Sequence, residues 1–160
     1  METIRYIKHD VTDPQGEGRK FVIHCCNDEG KWGAGVVLAI SKKWSKPESQ
    51  YRLWSKEEDF KLGNIQAVRV EKDVAVINMI GQKGIYSSDG IPPVRYDAVK
   101  ECLTKVADLA EKYNASVHLP YLMCCDLAGG DWNKIECMLL DLIWARTIPI
   151  TIYDLFGKRK

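Results

Sequence analysis

Apolar positions along the chain follow two periodicities, and the alternation between them predicts the order of elements. Two short apolar runs come first, Ile4 to Ile7 and Phe21-Val22-Ile23-His24-Cys25-Cys26, the second lying between a Pro/Gly-rich stretch at 13–18 and Asn27-Asp28. Runs of that length between turn signals read as buried strands. The spacing then changes to four. Val36, Ile40 and Trp44 share one face, which predicts a helix from Val36 to Trp44. Ser45-Lys46-Pro47-Glu48 reads as a capping box, the serine oxygen accepting from the Glu48 amide and the glutamate reaching back. Proline is tolerated there because first-turn amides lack intrahelical partners. Tyr51 and Trp54 form the buried side of the helix that follows.

Ile65 to Val70 and Val74 to Ile80 flank the polar turn Glu71-Lys72-Asp73, which predicts a hairpin and therefore a mixed sheet. Tyr96, Val99, Leu103, Val106, Ala110 and Tyr113 give the clearest amphipathic helix, with Asn114 suited to its C-cap. A short strand, Val117-His118-Leu119, follows. Asp131 is placed to N-cap a helix carrying Trp132, Ile135, Leu139 and Leu142 on one face. The last strand, Ile148 to Tyr153, alternates at Ile148, Ile150 and Ile152. Pro149 cannot donate to a ladder and belongs at an edge or a strand end. Strands and helices in this order predict a three-layer α/β/α sandwich with a mixed central sheet.

At 160 residues and 46% hydrophobic, the chain is sized for one domain, 1–156, ending in a basic tail at 157–160 expected to fray. Its 23 basic and 22 acidic side chains leave a net charge of +1. No long-range field draws it to nucleic acid or membrane, so an anionic ligand must be gripped locally. No apolar run reaches the 18 or so residues of a membrane span, and none at the N-terminus resembles a signal peptide. Cysteines at 25, 26, 102, 124, 125 and 137 form no CxxC, and adjacent cysteines bridge poorly, which predicts reduced thiols and a cytoplasmic location. His9, His24 and His118 have no metal-ligand spacing. Neither a metal nor a cofactor is expected, although Cys25-Cys26 and Cys124-Cys125 can converge at strand ends.

Three segments are candidates for chemistry. Asn27 to Val36 joins a buried strand to a helix, with glycines at 30, 33 and 35 that permit close backbone approach to a phosphate at a helix N-terminus. Such a turn also occurs as plain packing. It contains neither GxGxxG nor GK[ST], which argues against a nicotinamide-dependent oxidoreductase or an ATPase-type loop. Tyr121 to Asp131, with Ala128-Gly129-Gly130, again lies between a strand and a helix. Gly81 to Pro93 is a long loop offering Gln82, Lys83 and Asp89.

Several motifs in order resemble the macrodomain family, which binds ADP-ribose. His9-Asp10-Val11-Thr12 is similar to the segment after its first strand, and Ile23 to Val36 to its Asn-bearing turn and phosphate loop. Asn78 to Gly84, Leu119-Pro120, Leu127 to Trp132 and Thr151 to Leu155 resemble one branch, which includes a terminal ADP-ribose protein glycohydrolase and a yeast ADP-ribose 1''-phosphate phosphatase. The resemblance implies that Asp10 and Val11 meet the adenine, bordered by Tyr153 and Leu155. It implies that Gly33, Ala34, Gly35 and Val36 hold one phosphate. Met123, Cys124, Cys125, Asp126, Leu127, Ala128 and Gly129 would then hold the other and flank the distal ribose near Asn27. Lys83 as nucleophile and Asp126 as general base are the implied catalytic pair, with Asn27 beside them. Where relatives carry Gly-Cys-Gly, however, this chain carries Met123-Cys124-Cys125-Asp126. Two readings follow: a hydrolase of ADP-ribosylated protein or ADP-ribose 1''-phosphate, or a non-catalytic ADP-ribose-binding module.

Overall fold

The periodicities become ten elements along the chain: β1 (Ile4–Ile7), β2 (Arg19–Asn27), α1 (Val36–Lys43), α2 (Lys46–Trp54), β3 (Ile65–Glu71), β4 (Val74–Gln82), α3 (Tyr96–Tyr113), β5 (Ala115–Pro120), α4 (Trp132–Arg146) and β6 (Ile150–Tyr153). The computed structural model describes residues 4–159, without the side chains of Ile143 and Trp144; residues 1–3 of the predicted domain and Lys160 of the predicted tail lie outside them.

The strands form one sheet in the order β1-β6-β5-β2-β4-β3. Only β3 runs antiparallel, joined to β4 by the predicted hairpin. The other neighbours are parallel, so β1, β2, β4, β5 and β6 all end at one edge. Strand alternation builds a core on each face. On one side Phe21, Ile23, Ile77 and Met79 pack with Val99, Leu103, Val106, Ile135 and Leu139 of α3 and α4. On the other, Val22, Val76 and Ile80 pack with Val37, Ile40, Tyr51 and Trp54 of α1 and α2. The arrangement is the predicted mixed-sheet α/β/α sandwich.

Local predictions divide by whether a tertiary contact competes with them. Asn114 adopts the left-handed C-cap conformation (φ 52°, ψ 51°), and the Asn133 amide donates to Asp131 Oδ1 at 2.9 Å. The capping box at Ser45 does not form. Ser45 makes no side-chain cap bond, and Glu48 instead accepts from Ser41 Oγ on α1 and from Arg52. Val36 is half-buried and Val37 fills the core in its place. Tyr113, assigned to the buried face of α3, is 43% exposed because the sheet ends beneath it. The last strand starts at Ile150, with Pro149 just before it donating no amide but accepting from Val117. Residues 157–159 do not fray: the Lys158 and Arg159 amides donate to the Asp154 carboxylate, and the Arg159 guanidinium lies over Tyr6.

Candidate functional site

In parallel α/β sheets the crevice outside the carboxyl ends of the strands is the natural ligand position. Here five strands end together, and their order lays the candidate loops side by side. Residues 8–18 follow β1, 154–156 follow β6, 121–131 follow β5, 28–35 follow β2 and 83–95 follow β4. Four strand intervals span roughly 19 Å, room for an extended ligand.

The glycine turn is organised by Asn27. Its Oδ1 accepts from the amides of Glu29 and Lys31 and from the Tyr51 hydroxyl, while Nδ2 donates to the Lys31 carbonyl at 2.7 Å. One amide hydrogen is all that Asn27 retains for anything else. Gly30 is explained by the fold, since it has φ +75° and Ser55 lies too close for a Cβ. Gly33 is not: it needs no positive φ, and a Cβ built on it meets nothing. Gly35, at φ +80°, also faces open space and begins α1. That helix has no side-chain cap and no acidic residue in its first turn, so its leading amides and positive dipole end lack an anionic partner.

Facing this turn is the loop after β5. Ala34, Gly35, Val36 and Val37 line one wall of a cleft of about 130 Å³, and residues 120–128 line the other. The structure therefore brings together Ala34, Gly35 and Val36 with Met123, Cys124, Cys125, Asp126, Leu127 and Ala128. Gly129 lies just outside, its amide donating to the Asp126 carbonyl. Asp126 is exposed, and it is the one charged side chain among the described lining residues. Cys25 and Gln82 also line the cleft. The sequence offered Gln82 only as one residue of the long loop and Cys25 only as a thiol near a strand end, without assigning either to the ligand.

The backbone of that second loop retains what its sequence lacks. Leu122 (φ 68°) and Cys124 (φ 71°) both occupy the left-handed region, where glycine costs nothing and other residues cost about 1–2 kcal/mol. The Cys124 carbonyl accepts from the Gly130 amide at 2.8 Å, and any side chain at Gly130 would collide with it.

Solved structures share this architecture closely. A Bacteroides thetaiotaomicron protein superimposes with a TM-score of 0.92 at 50% identity, covering 95% of this chain and 98% of that one. A macrodomain protein from Streptomyces coelicolor follows at 0.83 and 45% identity, with coverages of 94% and 98%. The ADP-ribose 1''-phosphate phosphatase of Lodderomyces elongisporus is 32% identical over 146 residues, 86% of this chain and 91% of that protein. The chain belongs to the macrodomain family. No protein-family model matches it. The mouse and zebrafish proteins named chromodomain-helicase-DNA-binding protein 1-like are each 29% identical to it, yet the chain spans only 18% and 15% of their lengths.

At the β1–β6 side of the macrodomain edge, Asp10 Oδ1 accepts from the Thr12 amide (2.9 Å) and hydroxyl (2.8 Å). Its second oxygen has no partner among the described residues. Val11 and Tyr153 are buried in one core cluster, and Leu155 is 44% exposed. The Tyr153 hydroxyl accepts from the Gln15 amide and donates to His118 Nδ1 at 2.7 Å. His118 Nε2 then donates to Ser116. Burial, reinforced by Lys20 and Arg5, pushes His118 down to about 4, so this chain is neutral.

At the other side Lys83 is exposed and lies outside the cleft lining, its amide tied to the Pro93 carbonyl. An attacking lysine needs burial or neighbouring cations to be neutral. Lys83 is exposed, so burial does not supply that condition. Cys25, Cys124 and Cys125 converge as expected, whereas Cys26 packs into the core on the other face of the sheet. Contact with Cys25 and burial push the Cys124 thiol well up, and burial takes Cys125 to about 12. Among the described residues no three His, Cys, Asp or Glu side chains are grouped to hold a metal ion.

Proposed function

We propose that this macrodomain binds ADP-ribose, or a derivative altered at the distal ribose, along the carboxyl edge of its sheet. One observation carries the reading. An uncapped helix N-terminus, preceded by glycines that open onto free space, faces a second loop across a single cleft. Backbone amides and the α1 dipole are suited to the phosphates, and no lining cation is required. In this reading the free oxygen of Asp10 accepts from an exocyclic amino group of the base, and Val11, Tyr153 and Leu155 border it. The Lodderomyces elongisporus relative is named for a reaction on this ligand class, which supports the same assignment.

Calorimetry with ADP-ribose tests the binding. Wild type should bind with one-to-one stoichiometry, and Asp10→Ala should weaken it by about 1–3 kcal/mol. Equal affinities would remove Asp10 from the pose, and no binding by wild type would end the proposal.

A hydrolytic reading is favoured by one feature, the Asp126 carboxylate at the cleft. In it Asp126 accepts a proton from water as the water oxygen bonds to the phosphorus of ADP-ribose 1''-phosphate. The bond from phosphorus to the ribose oxygen breaks, and the ribose takes up the proton. Lys83 has no part in this step. Phosphate release should therefore fall about 100-fold or more in Asp126→Asn and persist in Lys83→Ala. Release by Asp126→Asn at the wild-type rate would remove Asp126 from the step, and no release by wild type would leave the protein a binding module.

A further inference from the structure

The opposite pole of the sheet carries a larger hollow with a different chemistry. A cavity of about 390 Å³ opens where α3 stops short of the corner formed by β2, β4 and β3. Phe21, Ala75 and Arg69 lie in one row across those three strands. On the same face, two residues to either side of that row, stand Arg19 on β2, towards the pole, and Ala67 on β3, towards the middle of the sheet. The two alanines leave the floor empty. Leu109 and Tyr113 of the last turns of α3 form a wall, and Lys20, Lys72 and Asp73 complete the polar rim.

The cations here are held by neutral groups. Arg69 donates to the carbonyls of Glu71 and Lys72, and the Arg19 guanidinium lies 5.6 Å from the Tyr113 ring centre, whereas the Lys20 side chain leaves β2 on the other face. None of Arg19, Lys20, Arg69 or Lys72 forms an ion pair among the described residues, although the chain has 22 acidic side chains to offer. Asp73 is the single acid at the rim. Fixed cations without counter-charge are matched by an anion, and an apolar floor beside an aromatic wall is matched by a flat apolar body. The volume falls within the roughly 300–1,000 Å³ of small-molecule sites.

We propose that this pole is a second ligand site, taking a small organic anion whose phosphate or carboxylate head lies between Arg19 and Arg69 and whose flat body rests on Ala67, Ala75 and Tyr113. The site is independent of the carboxyl-edge cleft and of what binds there.

Phenyl phosphate is the probe, titrated into the isotopically labelled protein with amide shifts read by NMR. Saturable shifts should map to residues 19–21, 67–75 and 109–113. Arg19→Ala and Arg69→Ala should each weaken binding by about tenfold through loss of a charge-assisted contact. Ala67→Phe fills the hollow from an exposed position, so it leaves the fold intact and should abolish binding. Inorganic phosphate, which lacks the flat body, should bind about tenfold more weakly. ADP-ribose affinity of all three variants should stay at the wild-type value, which separates this site from the cleft. The proposal is overturned if the shifts fall only at the cleft, if no shift saturates, or if Ala67→Phe binds phenyl phosphate as wild type does.

Discussion

Two residues decide what the altered loop can still do. Where relatives carry Gly-Cys-Gly, this chain carries Met123 to Asp126, side chains that crowd a backbone meant to approach a phosphate. Yet Leu122 and Cys124 hold left-handed conformations that glycine would adopt freely. The loop is thus maintained at a cost of about 1–2 kcal/mol for each residue. Leu122→Gly should relieve that strain and, after the added freedom of the unfolded chain, leave urea stability unchanged or raised by up to about 1 kcal/mol. Leu122→Val should lower it by about 1–3 kcal/mol, since branching at Cβ worsens the left-handed region. If valine is tolerated as well as glycine, the strain is absent. None of this was legible in the sequence, because φ is set by the hydrogen bonds from the Cys125 amide to Leu122 and from Gly130 to Cys124. The organising role of Asn27 was not legible, since the partners that occupy its carboxamide arrive from Tyr51 and the turn itself.

Among the elements, those whose signals are local were read correctly. The α3 periodicity and its Asn114 cap, the β3–β4 hairpin and the Asp131 cap depend on neighbours in sequence. Ser45 failed because Glu48 found a better partner across the gap to α1, where Ser41 and Trp32 complete a hydrogen-bonded chain. The two caps should accordingly differ under substitution. Asp131→Ala should cost about 1 kcal/mol in urea unfolding, whereas Ser45→Ala should cost almost nothing. A large loss at Ser45 would contradict the observed geometry. The strand at Ile150–Tyr153 illustrates the opposite error. Its alternating isoleucines suggested one buried face, but Thr151 and Tyr153 are buried too, with the loop after β1 packed against Tyr153 through Val11 and Gln15.

For the whole molecule, two buried histidines link stability to pH. Burial pushes both His24 and His118 down to about 4, from an ordinary value near 6.5. Between those values the unfolded chain binds more protons than the folded one, so stability rises with pH through this window and is fully present above about 6.5. Acidification from pH 7 towards 4 should therefore cost up to about 3 kcal/mol for each histidine. The urea midpoint at pH 5 should lie clearly below that at pH 7, and His118→Gln should flatten the slope. Equal midpoints at the two pH values would show that these rings are not kept neutral by the fold. The layer architecture was legible at this scale because element order alone restricts it. Strand order was not, since nothing local states that the first and last strands are neighbours.

That pairing has a mechanical meaning. β1 and β6 lie side by side and parallel, with Ile4 opposite Ile150 and Ile7 opposite Tyr153. A pull on the two chain ends therefore slides one strand along the other. The bonds of the ladder then share the load together, where a peeling force would break them one at a time. Tension applied through neighbouring segments of a longer chain would load this short ladder and the 154–156 loop in line with it, ahead of the loops that follow β2, β4 and β5.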